Sequence, residues 1–245
     1  MRDVRQVERF LHDRRIALWT GQSAVPSLSE AIAGRPLRGS WMANPEVHLI
    51  YRLLSRLQER DVLSATLVLG KSTALQPALG PAVQRIATDP ARLSTTTAAL
   101  PAAAAELLRV IEDAGSVRMD ELVLPTKEAR KARVALEHAL LAVSQELHTE
   151  RGAHTTVVRP WRDSEIATRF AAEAASLSLD EAEDALLAAC LRSAVVAPER
   201  EIRRWFPGAA TTLDRFLDGG RATLLTEGKD RFVTGSSVSR PRRGC

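Results

Sequence analysis

The chain has 245 residues, 45% of them hydrophobic but only 4% aromatic, with 34 Lys plus Arg against 30 Asp plus Glu for a formal net charge of +4. That length holds two or three small domains with real cores, and few aromatic residues beside abundant Ala and Leu exclude a large sheet in favour of helix-packed interiors. Two cysteines, Cys190 and Cys245, make neither a disulfide framework nor a zinc site. No apolar run reaches the ~18 residues of a transmembrane helix, and the start lacks an export pattern, so the expectation is a bacterial cytoplasmic protein with no membrane partner and no cofactor. Lys occurs only at 71, 127, 131 and 229, a skew towards Arg that GC-rich coding explains as well as phosphate recognition does.

The first element is a helix from about Asp3 to Arg15 with Val4, Val7, Phe10 and Leu11 as its apolar stripe. Arg2, Arg5 and Arg9 lie outside the stripe, and with Glu8 and Asp13 interspersed they read as a solvated face. Ser27 to Glu30 has the form of a capping box, opening a short helix that Gly34 ends. Asn44-Pro45 reads as an N-cap and first-turn proline for a helix through Ile50, Leu53, Leu54 and Leu57. The period then changes: 62–69 is strand-like, Gly70-Lys71 is a turn, 72–75 returns as a second strand, and 81–87 is helical. Residues 1–89 therefore form either a third, degenerate winged helix or a separate small α+β domain.

Asp89 to Thr97, with Pro90 and three consecutive threonines, reads as a linker. A winged-helix domain is expected over 98–160: a helix from Pro101 to Ala114 stopped by Gly115, a strand at 117–119, a short helix from Asp120 closed by Pro125, and a long helix from Lys127 to Val143. Extended runs at 141–148 and 154–159 flank a turn at 149–153 and form the wing. At about 100° per residue, Ala129, Ala132, Leu136, Leu140 and Val143 share one face of the long helix. Lys127, Arg130, Lys131 and Val134 share the other, with Arg133 at its flank. In winged helices the third helix commonly enters the major groove. Lys127, Arg130, Lys131 and Arg133, with Arg151 at the wing turn, are the expected DNA contacts.

A second such domain is expected over 161–235. Ser178-Leu179-Asp180-Glu181 is its capping box, with a helix through Leu186, Leu187, Cys190 and Leu191, a strand at 194–196 and a second helix at 198–205. Its third helix runs from Ala209 to Asp218, and 222–225 pairs with 232–234 as a wing. That helix carries Asp214, Arg215 and Asp218, and 160–200 has four Arg against eight acids, so protein contact suits this unit better than a nucleic acid. Residues 236–245 are expected to be a disordered basic tail.

The paired units, with Gly-Arg-Ala-Thr-Leu-Leu at 220–225 and Arg-Phe-Val at 231–233, resemble the bacterial winged-helix DNA glycosylase family that excises alkylated and crosslinked bases. The resemblance covers about residues 100–235 as architecture and implies a DNA substrate. That family's Gln-x-Gln or Gln-x-Asp catalytic segment has no match, since none of Gln6, Gln22, Gln58, Gln76, Gln84 and Gln145 has Gln or Asp two residues on. The segment from Gly39 to Pro45 resembles a Gly-Ser-Trp-Trp-x-His-Pro stretch of a group of bacterial proteins, with Met42 and Asn44 in place of the second Trp and the His; a buried Trp beside a helix start explains Trp41 more simply. His148, Glu150 and His154 across the wing, Asp120-Glu121 at a helix start and Gly70-Lys71-Ser72 without the earlier Gly of a phosphate loop are explained by an exposed wing, capping and a hairpin turn. The expected fold is mainly α with small β-hairpins in tandem winged helix-turn-helix units. The expected function is noncatalytic DNA binding, with a diverged glycosylase or a protein-docking scaffold as alternatives.

Overall fold

The computed structural model describes residues 1–39, 41–122, 125–148 and 154–236. Among the described residues the protein is mainly helical with three small antiparallel sheets, and one order of elements occurs three times: helix, strand, short helical segment, longer helix, strand, strand. In the first unit these are α1 (Val4–Arg14), β1 (Ile16–Leu18), α2 (Leu28–Ala33), α3 (Val47–Gln58), β2 (Leu63–Thr66) and β3 (Ser72–Leu75). After α4 (Gly80–Thr88) and α5 (Pro90–Ala98), the second unit follows as α6 (Ala102–Ala114), β4 (Val117–Arg118), a 3-10 turn at Met119–Glu121, α7 (Thr126–His138), β5 (Ala142–His148) and β6 (His154–Pro160). Then α8 (Glu165–Ala175) leads to the third: α9 (Leu179–Ala194), β7 (Val196–Pro198), α10 (Glu199–Ile202), α11 (Ala209–Asp218), β8 (Ala222–Glu227) and β9 (Asp230–Gly235). Each sheet has its last strand in the middle, in the orders β1-β3-β2, β4-β6-β5 and β7-β9-β8.

Local chemistry sets many boundaries. Ser178 and Glu181 form a reciprocal capping box at the start of α9, and Gly34 and Gly115 end α2 and α6 in the left-handed conformation. Several expectations are corrected. The 89–97 segment is not an open linker, because Asp89 accepts the Arg92 N–H at 2.9 Å and Pro90 supplies the first helical turn of α5. The α3 helix starts at Val47 rather than behind Asn44, with Glu46 at its cap and held by Arg35 at 2.7 Å. The α7 helix ends at His138, five residues short of Val143, because the backbone reverses at Leu140 (φ 56°). That reversal lets the wholly buried Leu140 enter the core between units and starts β5. The strand expected at 194–196 sits two residues later, after Val195 turns the chain at φ 67°. β1 and α8 were not anticipated.

The first and third units share a single core. Alternation along β1 sends Ile16 and Leu18 to one face, against Leu186, Leu187, Trp205 and Phe206 of the third unit, and Ala17 to the other, against Val7, Leu11 and Leu53. Ser193 Oγ donates to the Ile16 carbonyl at 2.6 Å and Arg14 to the Ser193 carbonyl at 2.9 Å across the same joint. The second unit has its own core of Ala104, Leu107, Ile111, Ala132, Leu136, Leu141 and Val158. At Gly80 a Cβ would stand 2.3 Å from Phe170, so the absence of a side chain is what lets α4 and α8 close together. Among the described residues no helix is long and apolar enough to cross a membrane.

Candidate nucleic-acid interface

Helix α7 has two chemically distinct faces. Ala129, Ala132 and Leu136 are buried, as their spacing requires, the last two in one core with α6. Lys127, Arg130 and Lys131 are exposed on the outer side, and among the described residues none of them has an ion pair or side-chain hydrogen bond. The outer face of α7, from Lys127 to His138, lines one wall of a cleft of about 930 Å³ where all three units meet. The opposite wall is the turn between α10 and α11, carrying Arg203, Arg204, Phe206, Pro207 and Gly208; the floor is the Leu69-Gly70 turn of the first unit; the α5–α6 corner closes a third side. No acidic residue lines the described cleft.

The geometry of the cleft is fixed from behind. The Leu69 N–H donates to the Trp205 carbonyl at 3.1 Å, which ties the floor to the far wall. Gly70 adopts φ 66°, and a Cβ there would stand 3.4 Å from Val134 Cγ1, so the floor packs against the second half of α7. Arg92, pulled down to about 10 by burial, donates to the Ala139 carbonyl at 3.0 Å and also to the carbonyls of Ile86 and Ala87, pinning the C-terminal end of α7 to α4. Arg203 is committed to Glu199 and Asp214, each at 2.7 Å, and both carboxylates favour its charged form. Its neighbour Arg204 is exposed and unpaired among the described residues. Four uncommitted cations, Lys127, Arg130, Lys131 and Arg204, therefore face a space without a neutralising acid. His138 sits at the inner end, where burial, and secondarily the Arg204 charge, hold its imidazole below the usual histidine range against the opposing Leu67 backbone contact. Its Nδ1 is buried without a hydrogen-bond partner.

Arg133 is not with the other expected contacts. It turns towards the first unit, donating to Glu137 Oε1 at 2.8 Å and Ser144 Oγ at 2.9 Å, beside a polar pocket of about 600 Å³. Thr66 Oγ1 donates to the other Glu137 oxygen at 3.2 Å, so the pair bridges the first and second units. Arg151 and Glu150 lie outside the described residues, as does the tail beyond 236. Arg204 was missed by sequence reasoning; its signal was the Arg203-Arg204 pair just before the Pro207-Gly208 turn. Two of the three charges of α11 are engaged within the third unit: Asp214 by Arg203, and Arg215 by Asp180 and Asp184 at 2.7 Å each. Comparison with protein-family models, with curated proteins and with solved structures finds no match for this chain.

Proposed function

We propose that this protein binds duplex DNA across the mouth of the cleft between α7 and the α10–α11 turn, with the phosphate backbone along its rim cations, and that its three repeated units are winged helices. The winged-helix reading is supported by the thrice-repeated order of elements and by the central placement of the last strand in each sheet. The observation that carries DNA binding is the set of four unpaired cations on cleft walls that hold no acid. Cations without protein partners in a concave surface attract a polyanion and release its counterions, which gives affinity that falls with salt. No carboxylate of the described cleft is placed to act as a general acid or base on a bound base, so the proposal stops at binding. Fluorescence anisotropy with a labelled duplex at several salt concentrations tests it, comparing the wild type with Lys127→Ala/Arg130→Ala/Lys131→Ala. Binding that weakens with salt and is lost in the triple variant is expected; absence of binding by the wild type at low salt overturns it.

A second reading concerns the third unit alone. Its sheet leaves Val196, Leu224 and Leu225 exposed on the two outer strands while Asp214 and Arg215 of α11 are internally paired, a composition suited to protein contact. Salt-insensitive self-association in sedimentation, abolished by Leu225→Asp, supports that reading, and a monomer at all concentrations removes self-association from it.

A further inference from the structure

The third helix of the first unit, α3, occupies the same place in its unit as α7 does in the second. Its inner face is fixed by Ile50, Leu53, Leu54 and Leu57, all buried in the core with α1 and α2. The sequence of α3 contains no acidic residue. At about 100° per residue, Tyr51, Ser55, His48, Arg52 and Arg56 fall in that order within one outward arc of roughly 140°. Glu59, just past the helix end, lies on this face at its C-terminal end, three residues beyond Arg56.

Tyr51, the only tyrosine in the chain, is 66% exposed. Neither Tyr51, Arg52, Arg56 nor His48 has a side-chain hydrogen bond or ion pair among the described residues. Single apolar residues on a surface are ordinary. An exposed aromatic ring beside two unpaired guanidinium groups on an acid-free helix is instead the composition of a nucleic-acid contact: guanidinium groups hold phosphates and a ring with one polar tip stacks on a base. Charge complementarity selects the occupant, because a protein partner for this face would need to bring its own acids whereas a nucleic acid carries them at every phosphate.

We propose that α3 is a second nucleic-acid contact of this protein, with Arg52 and Arg56 on phosphates and Tyr51 stacked on a base. The inference rests on nucleic acid as the partner but not on α7. All three side chains are exposed, so their variants keep the fold, which an unchanged thermal melt verifies. Binding of a labelled mixed-sequence duplex, and of one of its single strands, is measured across salt for Tyr51→Ala, Tyr51→Phe, Arg52→Ala/Arg56→Ala and the α7 triple variant. The double arginine variant is expected to lower the slope of log affinity against log salt by about 1.8, at about 0.9 per phosphate on a duplex. On the single strand, whose bases are free to stack, Tyr51→Ala is expected to weaken binding about tenfold with the slope unchanged, the size of one lost base stack, and Tyr51→Phe to retain wild-type affinity. Wild-type affinity and slope in all the α3 variants would overturn the inference and leave the cleft reading intact. Loss in the α3 variants with none in the α7 variant would support α3 and overturn the cleft; no binding by the wild type would overturn both.

Discussion

Removing the Arg133 guanidinium separates a structural role from a DNA-binding one. Arg133 and Glu137 meet at 2.8 Å with side chains only 22% and 6% exposed. In Arg133→Ala the Glu137 carboxylate stays buried with the Thr66 hydroxyl, at 3.2 Å, as its remaining side-chain donor. Stranding one member of a buried pair costs about 3–5 kcal/mol; the partial exposure of Arg133 and the surviving hydroxyl bring the expectation down to about 2 kcal/mol. For a chain of this size each kcal/mol moves the melting temperature by about 2–4 °C, so a fall of about 4–8 °C is expected in calorimetry. Replacing both partners with apolar residues, Arg133→Met/Glu137→Leu, should recover most of the loss, since no buried charge is then left unpaired. DNA affinity, measured below the melting transition, should match the wild type. A variant with an unchanged melting temperature and an affinity reduced tenfold or more would refute this reasoning and return Arg133 to the interface.

Two further outcomes follow from packing and titration. His138 has a depressed pKa, caused first by burial, so its neutral form is favoured on folding; the stability it contributes is complete above the unfolded value of about 6.5 and is lost as the pH falls through the lower folded value. The melting temperature of His138→Gln should accordingly fall less between about pH 7 and pH 5 than that of the wild type, and a nuclear magnetic resonance titration that places this imidazole at or above the free value would contradict the assignment. Gly80→Ala places a Cβ 2.3 Å from the Phe170 ring, an overpacking that should cost about 1–3 kcal/mol despite the better helix propensity of alanine. A neutral or raised melting temperature for Gly80→Ala, in thermal unfolding followed by circular dichroism, would show that α8 accommodates the methyl group freely.

Elements bounded by local chemistry were legible in the sequence. The Gly219-Gly220 stop and the apolar spacing located α11 with the bounds it has, and glycine stops fixed the ends of α2 and α6. The outward face of α7 was legible as well, because helical spacing alone separates Lys127, Arg130 and Lys131 from Ala129 and Ala132. β1 was not, since all three of its residues are buried between two layers and a strand without a polar face has no alternation to read. The exit of α7 was misjudged because the run from Ala139 to Val143 is compatible with helix, and only the tertiary demand for Leu140 in the shared core turns it at a positive φ. Arg204 was illegible for a related reason. It stands 66 residues beyond the end of α7 in sequence, and its place in the cleft depends on how the first and third units share a core.

The most direct test of a DNA site in the cleft reverses charge on the wall opposite α7. Duplex binding is measured for Arg204→Glu, Lys131→Glu and Arg109→Glu, the last on α6 in a local cluster with Glu106 and Asp113 and outside the cleft. A duplex lying across both walls predicts that Arg204→Glu and Lys131→Glu weaken binding to a similar extent, each with a shallower salt slope, while Arg109→Glu leaves both unchanged. Equal losses in all three variants, or wild-type binding by Arg204→Glu, would contradict the cleft as the place where nucleic acid is held.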